Sequence, residues 1–190
     1  TIDFLKKINN GKIKIFTENS GHSTKAYNFG ISKAEGEIIG TLGSDDIYTP
    51  NIFSKIISYF KNNKSNWIVG KNEIIDQNNN KIRQFITNFK NKQLNNYSYK
   101  NLTLNNFFSM QSIFWKKEFM PKKLGYFDEK NFLDSSDYDM WLKMAKIEKP
   151  LIVKDIFSNF RAHKTNITSK GSVKQMKQMA EISIFYGEFS

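Results

Sequence analysis

The stretch Ile38-Ile39-Gly40-Thr41-Leu42-Gly43-Ser44-Asp45-Asp46-Ile47-Tyr48-Thr49-Pro50 decides how the rest of the chain is read. Residues 37–42 form a short apolar run of strand length. Continuous apolar character suits a strand covered on both faces, as in a parallel sheet. Gly43-Ser44 and two adjacent carboxylates end the run. Thr49 then offers an N-cap and Pro50 a first helical position, and Ile52, Phe53, Ile56, Ile57 and Phe60 follow at close to helical spacing. Strand, carboxylate-bearing loop and amphipathic helix make one α/β unit, and open α/β sheets bind ligands beyond such strand ends.

Outward from this unit, helical and extended patterns alternate. Residues 2–8 predict a short helix, 12–16 a strand, and 23–34 a helix with Ala26, Tyr27, Gly30, Ile31 and Ala34 on one face. Residues 67–70 predict a strand, and 73–76 and 81–85 two more, joined across Gln77-Asn78-Asn79-Asn80. The polar, Asn-rich residues 88–101 predict a loop over the active face. A strand at 111–115, an amphipathic helix at 135–147 and one or two strands within 151–162 complete the pattern. A helix at 173–189 would carry Met176, Met179, Ile182 and Phe185. The expected fold class is α/β, a mixed and mostly parallel sheet flanked by helices. The expected organisation is a main domain at 1–170 and a helical tail at 171–190.

Composition narrows the function. The chain has 190 residues and no cysteine, which excludes a disulfide scaffold, a thiolate metal site and a cysteine nucleophile. Its apolar runs fall far short of the roughly 20 residues of a spanning helix, so any membrane contact is expected to be peripheral. The net charge of +11 comes from lysines scattered along an Asn-, Lys- and Ile-rich chain, with no basic arm or stripe. That pattern reads as compositional drift with a modest contribution from an anionic substrate.

Three places carry candidate chemistry. Asp45 and Asp46 could divide their work between a hard divalent cation and a sugar or ribose hydroxyl, or could simply complement the following helix. Asp137, in Ser135-Ser136-Asp137-Tyr138-Asp139-Met140-Trp141-Leu142, lies in the first turn of a helix. There it could act as a general base or complement the helix dipole. His163 follows Phe160-Arg161-Ala162 at a strand end. It could complete a metal site made otherwise of oxygens, with Arg161 on a diphosphate, or be an ordinary surface residue.

Taken together and in order, these segments resemble the family 2 glycosyltransferases, inverting enzymes of the GT-A fold. The matching stretches are Glu18-Asn19-Ser20-Gly21 through Ala26-Tyr27-Asn28-Phe29-Gly30-Ile31, then Leu42-Gly43-Ser44-Asp45-Asp46. Gln111-Ser112-Ile113-Phe114 with Leu124-Gly125-Tyr126-Phe127-Asp128 comes next, followed by Ser136-Asp137-Tyr138-Asp139-Met140-Trp141-Leu142 and Phe160-Arg161-Ala162-His163.

The resemblance implies a GT-A nucleotide-diphospho-sugar transferase fold that lacks roughly the first forty residues of the family pattern, and with them much of the nucleoside pocket. It implies Asp137 as catalytic base, and Asn28, Asp45, Asp46 and Arg161 on the donor. Gln111 and Trp141 fall on the acceptor side, and Asp46 with His163 on Mg or Mn. The implied partners are a nucleotide-sugar donor, most readily UDP-linked, and a glycan or lipid-linked acceptor. A cytoplasmic setting goes with them, with the inner face of the membrane as one possible place in it. No nucleic acid is expected. The rival reading is a catalytically inactive sugar- or nucleic-acid-binding domain.

Overall fold

The structure is a computed structural model that describes residues 2–8, 11–17, 21–120, 124–163 and 173–187. Its elements are α1 (Ile2–Ile8), α2 (Ser23–Lys33), β1 (Ile38–Gly40), β2 (Ile47–Tyr48), α3 (Ile52–Asn62) and β3 (Trp67–Ile75). They continue with α4 (Gln84–Asn95), α5 (Tyr99–Leu104), β4 (Ile113–Lys116), α6 (Ser136–Ile147), β5 (Leu151–Arg161) and α7 (Val173–Gly187).

The five strands form one sheet in the order β1-β4-β3-β5-β2. Only β3 and β5 run parallel, from Ile68 opposite Leu151 to Ile75 opposite Arg161. The pairs β1–β4, β3–β4 and β2–β5 are antiparallel. The sheet is therefore mixed, as expected, but not mostly parallel among the described residues. An apolar run such as Ile38-Ile39 reports burial, which an antiparallel pair flanked by helices also supplies; strand direction leaves no local signature.

Alternation along the central strands builds two cores. Trp67 and Val69 of β3, with Ile113 and Trp115 of β4, face a large cluster that includes Trp141, Leu142 and Met144 of α6, Leu102 of α5 and Ile31 of α2. Ile68 and Phe114 point the other way, onto Phe157 and Val153 of β5 and onto Ile52 and Ile56 of α3. Helices thus cover both faces, each strand residue going to the side that its parity assigns.

In the second core Gly70 is required by packing. A Cβ there would lie 2.3 Å from Phe157 Cγ, and Phe157 is itself wedged against Tyr59 and Phe114. Gly70→Ala is expected to destabilise the fold by about 1–3 kcal/mol through overpacking. A lowered denaturant midpoint at unchanged slope would show it; an unchanged midpoint would mean that the ring can move aside.

Several local expectations give way to tertiary structure. Residues 12–16 form no strand. Thr49 does not cap α3: its hydroxyl donates to the carbonyls of Ile156 and Phe157, and Asn51, in the left-handed region, stands at the N-cap position instead. Residues 67–75 are one continuous strand, and Lys81 makes only an isolated bridge to Ile75. The Asn-rich stretch read as a loop is largely helix. α4 buries Thr87 and Leu94, α5 buries Leu102 and Thr103, and Asn91 Nδ2 donates to the Asn72 carbonyl of β3 at 3.2 Å. Those few inward positions outweigh the low helix propensity of asparagine.

α7, set apart as a tail in the sequence reading, places Ile182 and Tyr186 in the same core as Trp141, while Met176 and Phe185 are exposed. The boundary expected at 170–171 lies outside the described residues. Among the described residues no helix is long and apolar enough to cross a membrane.

Candidate active site

The Asp45–Asp46 loop leaves the end of β1 and is fastened to the end of β5, 115 residues further on. The Arg161 N–H donates to Asp46 Oδ1 at 2.9 Å and Arg161 Nε to the Asp45 carbonyl at 2.9 Å. His163 Nε2 and Asp45 Oδ2 are 2.7 Å apart, a hydrogen bond that sets the imidazole facing the loop. Gly43 keeps room between the two carboxylates: a Cβ there would sit 2.8 Å from Asp46 Oδ2 and 3.0 Å from Asp45 Oδ1. Burial pushes the Asp46 carboxyl above the usual carboxylate range, against the opposing Arg161 N–H bond.

Arg161 differs from its expected role. Besides Asp45, its guanidinium donates to the Asp76 carbonyl at 2.6 Å and to Asn79 Oδ1 at 2.7 Å. These bonds tie the Asp45–Asp46 loop to the turn after β3, so each guanidinium nitrogen already serves a protein acceptor. Arg161 is therefore a brace for the site; a diphosphate would have to displace one of those bonds.

Asp137 enters from α6. Its Oδ1 accepts the Tyr138 N–H at 2.8 Å. Burial raises its carboxyl above the ordinary range, opposed by the charge of Lys90 on α4. Lys90 is in turn pushed down by burial and held up by Asp137. Tyr27 of α2 lies within electrostatic reach of both the loop and α6. Burial raises its phenol first, and the charges of Asp46, Asp137 and Asp45 raise it further, so one hydroxyl stands in the field of all three carboxylates. Neither Tyr27 nor Lys90 was singled out for chemistry by sequence. Tyr27 had a signal, since it adjoins Asn28 in the family-like segment, but Lys90 is one lysine of many in a polar stretch.

Three expected site residues lie elsewhere. Asn28 is buried, donating to the Phe127 carbonyl at 2.9 Å and to Glu129 Oε1 at 2.7 Å while accepting the Phe127 N–H at 3.0 Å. Its amide is consumed in tying α2 to the 127–129 loop and does not face a donor. Trp141 has no exposed surface and packs on Trp115 and Phe127 at 6.1 and 5.8 Å, so it is a core residue with no face for an acceptor. Gln111 is also buried, in the turn entering β4, beside Ser112, whose hydroxyl meets Ser158 Oγ at 2.6 Å.

Asp139 is buried as well, paired with Lys143 Nζ at 2.6 Å and accepting from Tyr186 at 2.8 Å. Asp139 is thus the buried, ion-paired member of the Asp137–Asp139 pair, and Asp137 is the half-buried one.

Among the described residues no three His, Cys, Asp or Glu side chains stand together in metal-ligating geometry. The donor types nevertheless suit a hard divalent ion: the Asp46 carboxylate, the His163 imidazole and space held open at Gly43.

Comparison with known proteins bears on the family and the fold. The pattern of Glycosyl transferase family 2 matches residues 1–122, which include the Asp45–Asp46 loop and stop short of Asp137. The O-antigen biosynthesis glycosyltransferase WbnJ of Escherichia coli is 30% identical over 156 residues, spanning 80% of this chain and 58% of that protein. An uncharacterized glycosyltransferase of Rickettsia conorii is 27% identical over 94% of this chain and 29% of its own length. The chain thus spans between about a third and somewhat over half of these relatives. Among solved structures, S. aureus TarS 1-349 in complex with UDP-GlcNAc superposes with a TM-score of 0.68 at 17% identity, over 96% of this chain and 53% of that one. Its complex with UDP gives 0.62 at 14% identity, over 97% and 51%. These likenesses confirm the GT-A type of fold. With a match over well more than half of its residues, the chain belongs to glycosyl transferase family 2.

Proposed function

We propose that this chain carries the diphosphate and base side of a glycosyltransferase that moves a sugar from a UDP-linked donor to a hydroxyl of a glycan or lipid-linked glycan, with inversion. The observation that carries the reading is the Asp45–Asp46 loop pinned to the end of β5, with Asp46 Oδ1 accepting the Arg161 N–H and Asp45 Oδ2 meeting His163. On top of its burial, the charges of Asp46, Asp137 and Asp45 all raise the Tyr27 phenol. That common influence supports reading a diphosphate site and a base around Tyr27. UDP and UDP-GlcNAc in the TarS complexes support the donor class, and the O-antigen role in WbnJ's name supports a polysaccharide acceptor.

In this reading Asp137 accepts the proton of the acceptor hydroxyl as that oxygen bonds to the anomeric carbon. The bond from that carbon to the diphosphate breaks, and its electron pair leaves with the diphosphate. Attack opposite the leaving group inverts the centre. Lys90 supplies the positive charge that favours ionised Asp137 despite its burial. Arg161 holds the Asp45–Asp46 loop in place, and Tyr27 can donate its hydroxyl to a phosphate or sugar oxygen. A bound Mg or Mn ion, held by Asp46 and His163, would offset the negative charge on the leaving diphosphate.

The full-length protein, incubated with UDP-, GDP- and dTDP-sugars, Mn and lipid-linked glycan acceptors, should release UDP and form a glycoside of inverted configuration. Retained configuration, or turnover with GDP- or dTDP-sugars alone, would overturn the reading. The acid limb of the rate profile should lie above the ordinary carboxylate range, because Asp137 works only when ionised and burial raises its pKa. Lys90→Met should move that limb to still higher pH; a limb that stays in place would remove Lys90 from the chemistry.

A further inference from the structure

α7 repeats an inward face every four residues: Gln178, Ile182 and Tyr186 are all buried. Ile182 and Tyr186 suit a core, but an amide at 7% exposure needs partners for both of its ends. They are found on the strand-to-helix connection that precedes Asp137. Gln178 Oε1 accepts the Asp134 N–H at 3.0 Å, and its Nε2 donates to the Asn131 carbonyl at 3.3 Å.

Neighbouring side chains of α7 hold the same connection. Gln175 Nε2 donates to the Asp134 carbonyl at 3.0 Å, and the Ser135 hydroxyl donates to the Gln175 carbonyl at 3.3 Å. Lys174 Nζ meets Asp134 Oδ2 at 2.8 Å, while His22, the N-cap of α2, meets Asp134 Oδ1 at 3.0 Å. Tyr186 grips the other side through Asp139 Oδ1.

α6 has no side-chain cap of its own, because Ser135 turns its hydroxyl to α7. The Asp137 carboxylate accepts the N–H of the next residue of its own helix. Where Asp137 stands is therefore set by where α6 begins, and that start is held by α7.

Resting on the reading of Asp137 as the base, we propose that α7 is a positioning element for it. Gln178 is the central positioning residue: it fixes the backbone of residues 131–134 and hence the place of the Asp137 carboxylate. A misplacement of about 1 Å can cost on the order of 10²-fold in rate, so loss of these bonds should be felt in turnover and not in donor binding.

The test uses the full-length protein, the UDP-sugar that supports transfer, and UDP with Mn for calorimetry. Gln178→Met keeps the volume and removes both bonds. It should lower kcat per UDP-binding site by at least about tenfold while the Kd for UDP stays within about twofold. Gln175→Met, at a half-exposed position that tolerates exchange, should give the same split more mildly, and it carries the test if Gln178→Met does not fold.

The decisive comparison is a double-mutant cycle: Gln178→Met should cost nothing further in an Asp137→Asn background. An equal loss in both backgrounds, an unchanged kcat, or a loss confined to UDP affinity would overturn the proposal while leaving the base reading intact. Parental turnover in Asp137→Asn alone would overturn the base reading and this proposal with it.

Discussion

Asp137→Asn in the full-length protein is expected to lower turnover by about 10²–10⁴-fold, the usual worth of a positioned general base. UDP affinity should be nearly unchanged, because the lost interaction belongs to the transition state. The amide keeps Oδ1 as acceptor for the Tyr138 N–H, so the start of α6 should survive. Stability points the same way. The folded-state pKa of Asp137 is raised, so its contribution favours the fold below the unfolded pKa and is lost as pH rises through the folded one. At neutral pH the parent pays for a buried charge that the variant lacks, and the variant should melt no lower. Steady-state kinetics, calorimetry with UDP and Mn, and a thermal melt make the three measurements. Near-parental turnover would remove Asp137 from the base role, and lost UDP binding would move it to the donor pocket. Asp139→Asn should act differently: Oδ1 can still accept from Tyr186, but the ion pair with Lys143 is lost and an amide N–H faces the ammonium, so its effect should appear in the melt.

Asp46→Asn carries the second large effect. Removing even an outer-shell partner of a metal ligand costs roughly 10–100-fold in affinity, and loss of the ligand itself should cost at least that. The amide oxygen can still accept the Arg161 N–H, so the loop should stay docked on β5, and neutralising a buried carboxylate should not unfold it. UDP titrations with and without Mn separate the possibilities. The parent should bind UDP more tightly with Mn, and the variant should lose that increment. An increment of parental size in Asp46→Asn would take the metal away from Asp46, and with it the pairing of Asp46 and His163 as its holders.

Much of the architecture could be read locally. The helices at 2–8, 23–33, 52–62, 136–147 and 173–187, the strand at 151–161 and the carboxylate loop between a strand and a helix follow from periodicity and from where glycine and proline interrupt it. The motif order of Asp45-Asp46, Asp137 and His163 was likewise legible, because residue types in sequence order survive without any knowledge of packing.

Partners across the chain were not legible. Among the described residues three of four strand pairings are antiparallel, since pairing direction depends on which distant strand arrives alongside. Asn28 and Trp141 bear the family-like pattern yet spend themselves on the 127–129 loop and on the core. Whether a side chain faces a cleft or a neighbour depends on atoms a hundred residues away. For the same reason only the tertiary structure shows Arg161 as a brace and Tyr27 and Lys90 as neighbours of the carboxylates. It alone brings Gln178 onto the backbone ahead of Asp137: a helix's own sequence determines which face is buried, and the fold determines what that face meets.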